Sequence, residues 1–343
     1  VLFRSTLLKR CYHMELRELG QSGLKVSPIG LGLAALGRPG YINLGHADDL
    51  EHEYDASAMQ DHAAEVLQTA YEAGVRYFDA ARSYGKAEQF LSHWIVDHPE
   101  QNDITVGSKW GYEYTADWKI DAEIHEQKQH SLERLNQQWG ESQELLSHHL
   151  NLYQIHSATL ESGVLQNEEV LNRLRELKEF GFAIGLSVSG PEQSQVIEQA
   201  LTIQEDGRLL FDTVQATWNL LERSAGPALE EAFKQGMGVI IKESLANGRL
   251  TNRNRSTDFA AQLDLLQTHA QRLETTVDAL SIAYVLHQPW VDVVLSGAAT
   301  SEHLLSNLAA TKVRLDEEFE TTFRAFHEDA ERYWKTRSQL NWN

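Results

Sequence analysis

The chain has 343 residues, 42% of them hydrophobic, and its 50 acidic and 30 basic residues give it a formal net charge of −20. A chain of this length can bury a sizeable core, but so acidic a protein is a poor candidate for binding nucleic acid or an anionic membrane, which require basic surfaces. The single cysteine, Cys11, excludes an internal disulfide and suits a reducing compartment. We therefore expect a cytoplasmic protein with no nucleic-acid or membrane contact, and we predict no protein partner.

Residues 1–13 are mildly basic and contain only a short apolar pair, which is too short for the apolar region of a secretory signal. We interpret them as a disordered extension outside the fold, with a targeting peptide as the minor alternative. No linker or shift in composition divides the remainder, so residues 14–343 are expected to form a single domain.

The spacing of apolar residues predicts a hairpin over residues 15–27, followed by strands that alternate with helices. We predict eight strands, at residues 28–33, 75–78, 104–109, 150–156, 182–187, 211–215, 238–242 and 291–296. We predict helices at residues 58–73, from 86, 121–139, 167–180, from 191, 228–234, 258–284 and 301–310. A last amphipathic stretch, 316–338, predicts an extended C-terminal helix, and the polar segment 37–55 is interpreted as an excursion over one face of the fold.

Repeated strand–helix units indicate a parallel sheet with crossover helices. Eight such units in a chain of this length favour an α/β fold of the (β/α)8 TIM-barrel class, with an N-terminal β-hairpin and an extended C-terminal helix. A doubly wound open sheet is the alternative. It is disfavoured because Gly30, Gly32 and Gly37 do not have the spacing of a dinucleotide-binding G-x-G-x-x-G loop.

Polar residues stand where seven of the predicted strands end. In barrels of this class the active site lies at the carboxyl ends of the strands. The residues at these ends are Asp79, Lys109, His156, Ser187, Gln215, Lys242 and the pair Ser296-Gly297. Solvation would explain a polar residue at any one strand end, but seven in succession favour a functional site.

The strand that ends at Asp79 leads into a loop that carries Tyr84. Lys109 is expected to pair with Asp79, because a lone buried charge is costly, and to lower the pKa of the nearby phenol. Tyr84 would then act as a general acid toward a developing alkoxide, with a second hydrogen bond from His156. Since such a site supplies a proton but no electrons, a hydride donor must lie beside it.

The segment from Phe78 to Gly85, Phe-Asp-Ala-Ala-Arg-Ser-Tyr-Gly, resembles the Asp-x-Ala-x-x-Tyr-Gly signature of the aldo-keto reductase family. Lys109 in Gly-Ser-Lys and His156 in Leu-Tyr-Gln-Ile-His are similar to the family's lysine and histidine, and the likeness covers nearly the whole chain. The resemblance implies a (β/α)8 barrel that binds NADPH, or sometimes NADH, across its mouth. It also implies that Tyr84 is the acid or base, that Lys109 and Asp79 tune it, and that His156 orients the substrate carbonyl.

The resemblance further implies which residues contact the cofactor, NADP or NAD. They are Gly32, Ser187, Gln215, Lys242, Ser244, Leu245, Gly248, Gly297, Ala298, His303 and Asn307. The sequence departs from the family pattern at Val188, where an asparagine is usual, and at Lys242, where an aromatic residue stacks on the nicotinamide. Trp218 is our candidate for that stacking role. His303 stands where the basic partner of the 2′-phosphate is usual, and no Lys or Arg lies between 296 and 307, so NAD and NADP both stay open.

We therefore expect an NAD(P)-dependent oxidoreductase that interconverts a carbonyl and an alcohol in a small aldehyde, ketone or sugar substrate by hydride transfer. Trp110 is expected near the substrate. Loops 37–55, 111–119 and 248–260 and the region near the C-terminus are expected to decide substrate identity. Two alternatives remain: a Schiff-base lyase that uses Lys242, and a non-turnover barrel that binds the cofactor and regulates a partner. The spacing of the histidines matches no metal site, so no bound metal is predicted.

Overall fold

The computed structural model describes residues 14–343, except for the side chains of Glu320 and Ala325. The predicted extension at residues 1–13 lies outside the described residues, and the division of the chain into an extension and one domain stays a prediction. Within the described part of the chain, no helix is long and apolar enough to cross a membrane.

Eight parallel strands close into a barrel, in which each strand pairs with its neighbours in chain order and the last pairs with the first. The strands are β1 (Ile29–Gly32), β2 (Tyr77–Asp79), β3 (Thr105–Trp110), β4 (Leu150–Ala158), β5 (Ala183–Val188), β6 (Thr213–Thr217), β7 (Gly238–Lys242) and β8 (Val293–Ser296). The predicted (β/α)8 barrel is therefore confirmed. The predicted hairpin precedes it as an antiparallel pair of short strands, Arg17–Glu18 and Lys25–Val26.

Helices surround the barrel and bury their apolar faces against it, as Ala63, Val66 and Leu67 do in the first long helix. The helices are α1 (Ala56–Glu72), α2 (Ala87–Asp97), α3 (Leu132–Leu146), α4 (Glu168–Glu179), α5 (Gln193–Leu201), α6 (Gly226–Lys234), α7 (Ala260–Arg272), α8 (Val277–Leu286), α9 (Ser301–Leu308), α10 (Glu317–Phe323) and α11 (Ala330–Ser338). This layer encloses the strands and leaves the carboxyl end of the barrel to the connecting loops.

The helix predicted over residues 121–139 is wrong in position, because α3 begins only after Ser131. The Ser131 hydroxyl caps α3 by accepting a hydrogen bond from the Arg134 amide at 3.2 Å. The residues before this cap form an antiparallel ribbon of Tyr112–Tyr114 and Glu126–Lys128, which the apolar spacing does not predict.

Two other predicted helices are each divided in two. The helix predicted over residues 258–284 breaks at Glu274, which has a φ of 52°, and Thr276 then caps α8. The extended C-terminal helix predicted over residues 316–338 consists of α10 and α11, and Asp329 caps the second. A side chain that accepts hydrogen bonds from the free amides of a first helical turn favours the beginning of a new helix directly after it.

The barrel interior is closed at its amino end by the hairpin residues Leu19 and Val26 and is filled above them by the Tyr77 ring. That ring is fully buried between two glycines. A Cβ at Gly30 would lie 2.7 Å from the ring, and one at Gly107 would lie 2.6 Å from the Tyr77 hydroxyl oxygen. Both positions exclude a side chain for this reason, and the Tyr77 hydroxyl reaches the site at the carboxyl end.

The predicted excursion at 37–55 lies beside the loop that follows β7. It contains a short helix, His46–Asp49, and the Leu44 amide donates a hydrogen bond to the Asn247 carbonyl oxygen at 3.1 Å. Tyr41 and Asn343 exchange two backbone hydrogen bonds of 3.1 Å. The excursion therefore joins two distant parts of the chain at the rim of the barrel.

Candidate active site

Lys109 and Asp79 form a buried ion pair inside the barrel mouth. The Lys109 Nζ lies 2.5 Å from Asp79 Oδ2, and the two side chains are 0% and 2% exposed. The ammonium also donates a hydrogen bond to the Ala80 carbonyl oxygen at 2.9 Å. Each charge offsets the cost of burying the other, so the structure brings the expected pair together.

The other oxygen of Asp79 accepts three further hydrogen bonds. The donors are the Tyr77 hydroxyl at 3.1 Å, the Gln154 amide at 3.3 Å and the Gln215 amide at 3.0 Å. Tyr77 precedes Asp79 by two residues, and Gln154 precedes His156 by two, so each pair shares one face of a strand. That period of two is the signal that could have identified Tyr77 and Gln154. Gln215, expected at the cofactor, holds the Asp79 carboxylate in this structure.

Tyr84 lies beside the ion pair. Its hydroxyl oxygen is 3.4 Å from the Lys109 Nζ, and the ammonium is 4.8 Å from the ring centroid. Burial, followed by the negative charge of Asp79, raises the pKa of Tyr84 well above its ordinary value. The pKa of Tyr84 is therefore raised and not lowered as expected, because burial and the charge of Asp79 prevail. Tyr84 is a phenol at neutral pH, and a phenol can donate a proton.

His156 faces Tyr84 across the mouth. The two ring centroids are 5.4 Å apart, and the His156 ring lies 4.9 Å from that of Tyr112. The Nδ1 of His156 is 3.3 Å from the Ser83 hydroxyl oxygen. Burial, followed by the charge of Lys109, lowers the pKa of His156 well below its usual range. The imidazole is therefore neutral and can donate one hydrogen bond.

Arg38 belongs to the site although no sequence pattern marks it. Its buried guanidinium lies 5.3 Å from the ring centroid of Tyr84 and 5.2 Å from that of Tyr41. It donates hydrogen bonds to the Ser83 carbonyl oxygen at 3.0 Å and to Glu126 Oε2 at 2.9 Å. Its positive charge lowers the pKa of Tyr84 and so opposes burial and the nearby carboxylates, which raise it. Only the contact across the barrel mouth reveals this residue.

Lys242 stands among charged groups at the end of β7. Its side chain is 16% exposed, and its Nζ lies 2.9 Å from Thr217 Oγ1 and 3.9 Å from Glu243. Arg337 of α11 donates to the Glu243 carboxylate, at 2.9 Å through Nε. Burial lowers the pKa of Lys242 to about 8. Burial alone would raise the pKa of Glu243, but the charges of Arg337 and Lys242 outweigh it and lower that pKa to about 2.

A cleft of about 390 Å³ extends from the barrel mouth between the loops that follow β7 and β8. Many of the expected cofactor contacts line it: Ser244, Leu245, Gly248, Gly297, Ala298, His303 and Asn307. Tyr41 and Glu243 also line it. Asn247 also lines the cleft, and its buried Oδ1 has no hydrogen-bond partner within residues 14–343. A buried acceptor of this kind fits a ligand that donates a hydrogen bond.

Gly32 and Ser187 lie at the carboxyl end of the barrel, outside the lining of the cleft. Gly32 is in register with Asp79 between β1 and β2. The Ser187 Oγ accepts a hydrogen bond from the Ser157 amide at 2.8 Å. Both residues therefore belong to the rim that surrounds the ion pair.

The structure does not place Trp110 or Trp218 in the lining of the cleft. Trp218 is 4% exposed, stacks on Tyr284 of α8 at a centroid distance of 5.4 Å and meets Trp290 edge-on at 5.2 Å, so its ring packs in the outer layer. Trp110 is fully buried and directly follows Lys109 in β3. Because successive strand residues point to opposite faces, Trp110 packs against the helices, with its ring 5.7 Å from that of His130, and not at the mouth.

His303 lies beside the ion pair of Arg253 and Asp49, two residues that are distant from it in the sequence. Arg253 Nη1 is 2.7 Å from Asp49 Oδ2, and Arg253 Nη2 is 3.3 Å from His303 Nε2. The Nδ1 of His303 lies 3.5 Å from Asp49 Oδ1. A cation thus stands next to His303, although it comes from the loop after β7 and not from residues 296–307.

Comparison with known proteins agrees with this barrel and its polar mouth. Residues 28–328 match the model of the Aldo/keto reductase family, so the chain belongs to this family of oxidoreductases. It is 24% identical to the norsolorinic acid reductase of Aspergillus flavus, over 90% of the chain and 79% of that protein. It is 22% identical to the aldo-keto reductase AusK of Emericella nidulans, over 87% of the chain and 77% of that protein.

Among solved structures, the holo form of an aldo-keto reductase from Bacillus halodurans has the same fold. The TM-score is 0.71 at 21% identity, over 94% of this chain and 100% of that one. The family and the fold are therefore established together, and carbonyl reduction is the general activity that they support.

Proposed function

We propose that this enzyme interconverts a carbonyl and an alcohol in a small aldehyde, ketone or sugar, with a nicotinamide dinucleotide as hydride carrier and Tyr84 as the proton-transfer residue. The observation that carries the proposal is the position of the Tyr84 hydroxyl, 3.4 Å from the Lys109 ammonium and beside the neutral ring of His156. A protonated phenol, a nearby cation and a neutral hydrogen-bond donor are the groups that a developing alkoxide requires.

The residues present fit a nicotinamide dinucleotide in the cleft. Gly248, Gly297 and Ala298 give it walls with little side-chain volume, and Asn247 offers an unpartnered buried acceptor. Ser244 and Asn307 add polar groups along its length. When bound, such a cofactor supplies the hydride that no side chain of the protein can supply.

The side chains of the mouth handle the substrate oxygen and its proton. His156 donates a hydrogen bond to the carbonyl oxygen and orients it. Tyr84 transfers its phenolic proton to that oxygen as negative charge develops there. Lys109 stabilises the tyrosinate that remains, and Asp79 keeps the ammonium in place. In the direction of alcohol oxidation the same groups act in reverse order.

The test is the oxidation of NADH and of NADPH with a panel of aldehydes, ketones and aldoses. Turnover with at least one substrate class, lost in Tyr84→Phe, supports the proposal. Cofactor binding without turnover over the whole panel would favour the regulatory barrel instead.

The Schiff-base alternative rests on Lys242, because its pKa of about 8 leaves some neutral amine near neutral pH. That alternative gives the arrangement of Tyr84, Lys109 and Asp79 no role. Borohydride reduction in the presence of a carbonyl substrate, followed by peptide mass analysis, separates the two. An adduct on Lys242 would support the lyase, whereas an unmodified chain that oxidises NADH or NADPH supports the oxidoreductase.

A further inference from the structure

We propose that the cleft takes a dinucleotide without a 2′-phosphate, that is NAD(H), and that Asp49 is the residue that sets this preference. The inference rests on the proposed function, since it concerns the cofactor of the same site. It is carried by the arrangement of Asp49, Arg253 and His303 and by the charges that line the cleft.

The guanidinium of Arg253 is already engaged by groups of the protein. Both of its terminal nitrogens bond to the Asp49 carboxylate, and the Nη1–Oδ2 distance is 2.7 Å. The Nη1 also donates to the carbonyl oxygens of Leu44 at 3.1 Å and Gly45 at 3.0 Å. The Asp49 side chain is only 9% exposed. A phosphate would have to displace this bidentate carboxylate before it could use Arg253.

His303 contacts both members of the same ion pair. Arg253 Nη2 lies 3.3 Å from His303 Nε2, and a guanidinium can only donate. The Nδ1 of His303 lies 3.5 Å from Asp49 Oδ1. The positive charge of Arg253 is thus balanced by the carboxylate of Asp49.

The remaining charges of the cleft are also unfavourable for a phosphate. Two further carboxylates, Asp278 and Glu302, line it, whereas Glu243 is paired with Arg337. A 2′-phosphate brings a charge of roughly −1.5 to −2 at neutral pH, and like charges at close range are repelled. A ribose hydroxyl, in contrast, is a neutral donor that a carboxylate such as Asp49 accepts, the same chemistry by which acidic residues select NAD in other dinucleotide sites.

The test measures the dissociation constants of NADH and NADPH for the full chain, by quenching of intrinsic tryptophan fluorescence at one fixed ionic strength. We expect the wild type to bind NADH at least about tenfold more tightly than NADPH, the scale of one close charge contact. Asp49→Asn keeps the shape and removes the charge. It should tighten NADPH binding by about tenfold and change NADH binding much less.

Asp48→Asn is the matched control. It makes the same charge change on the same short helix, but its side chain is 80% exposed, its ion pair is with His52, and it makes no bidentate contact with Arg253 of the kind that Asp49 makes. This variant should leave the ratio of the two dissociation constants unchanged. Adding Arg253→Gln to Asp49→Asn should abolish the gain in NADPH affinity, because the cation released by the first change is then absent.

The outcomes separate the two proposals. Wild-type preference for NADPH, or equal ratios in Asp49→Asn and Asp48→Asn, overturns the inference and leaves the proposed function standing. If the wild type binds neither dinucleotide, the proposed function itself fails. The ratio of the NADH and NADPH dissociation constants is measured on the wild type alone. The inference can therefore be contradicted even if Asp49→Asn does not fold.

Discussion

The ammonium nitrogen of Lys109 lies 3.4 Å from the hydroxyl oxygen of Tyr84. A cation at this distance favours the phenolate, but its charge is shared with Asp79 at 2.5 Å. Burial and Asp79 accordingly raise the pKa of Tyr84 well above its ordinary value. The protein therefore holds Tyr84 as a phenol, the form that the proposed mechanism of carbonyl reduction uses. In that mechanism the ammonium stabilises the tyrosinate once the proton has left.

Replacing Tyr84 with Phe should lower kcat for carbonyl reduction by about 10²–10⁴-fold, the usual contribution of a positioned proton donor. Affinity for the dinucleotide should be unchanged, because the hydroxyl group faces Lys109 and not the cleft. Tyr71→Phe is the control, since the Tyr71 hydroxyl donates to Asp103 on the surface. Wild-type turnover in Tyr84→Phe would contradict the assignment of Tyr84 as the proton donor.

Replacing Asp79 with Asn should lower the free energy of unfolding by about 3–5 kcal/mol, because it leaves the fully buried ammonium of Lys109 without a counter-ion. Adding Lys109→Met should recover most of this loss, since no unpaired charge then remains in the barrel. Urea unfolding at pH 7 measures both variants. A double variant that is less stable than Asp79→Asn would show that the pair is not the origin of the loss.

Much of the site could be predicted because strand periodicity and parallel topology bring residues to one rim. Asp79, Lys109 and His156 end three strands, and in a closed barrel these ends must meet. The same alternation places Trp110 outward, once β3 is seen to continue one residue beyond Lys109. The expectation for Trp110 took β3 to end at Lys109, whereas the positions of the inward residues do not depend on that boundary.

Other features could not be predicted because they arise from contacts between distant loops. Arg38 and Arg253 lie in irregular segments without any period, and only the folded chain brings them to Tyr84 and His303. The direction of the Tyr84 pKa likewise depends on burial and on the Lys109 ion pair, which a sequence pattern does not contain. The charge state of the site is therefore a property of packing.

Lys242 predicts a pH dependence of stability. Its pKa is lowered by burial from 10.5 to about 8 in the folded protein. The folded state releases this proton before the unfolded state does, so this residue makes the free energy of unfolding rise with pH between about 8 and 10.5. In Lys242→Met this rise should be absent, and stability at pH 7 should be equal or greater. Urea unfolding midpoints measured from pH 7 to 10 test both effects. If stability rises equally with pH in the wild type and in Lys242→Met, the lowered pKa of Lys242 is refuted.

Arg38 predicts a difference between the two directions of the reaction. Its charge lowers the pKa of Tyr84, and that of Glu126 raises it. Arg38→Met should therefore raise this pKa further, which reduces the fraction of tyrosinate at a given pH. In the proposed mechanism alcohol oxidation uses the tyrosinate as base, so its kcat at pH 9 should fall several-fold, whereas kcat for reduction, which uses the phenol, should change little.

Two further variants separate this electrostatic effect from a loss of packing. Arg38→Lys keeps the positive charge and should retain most of the oxidation rate. Arg38→Met also leaves Glu126 without the partner that lies 2.9 Å from it. Adding Glu126→Gln removes a charge that raises the Tyr84 pKa, so the double variant should oxidise alcohol faster than Arg38→Met alone. If both rates fell equally in all three variants, Arg38 would be a structural residue and would not act on the proton of Tyr84.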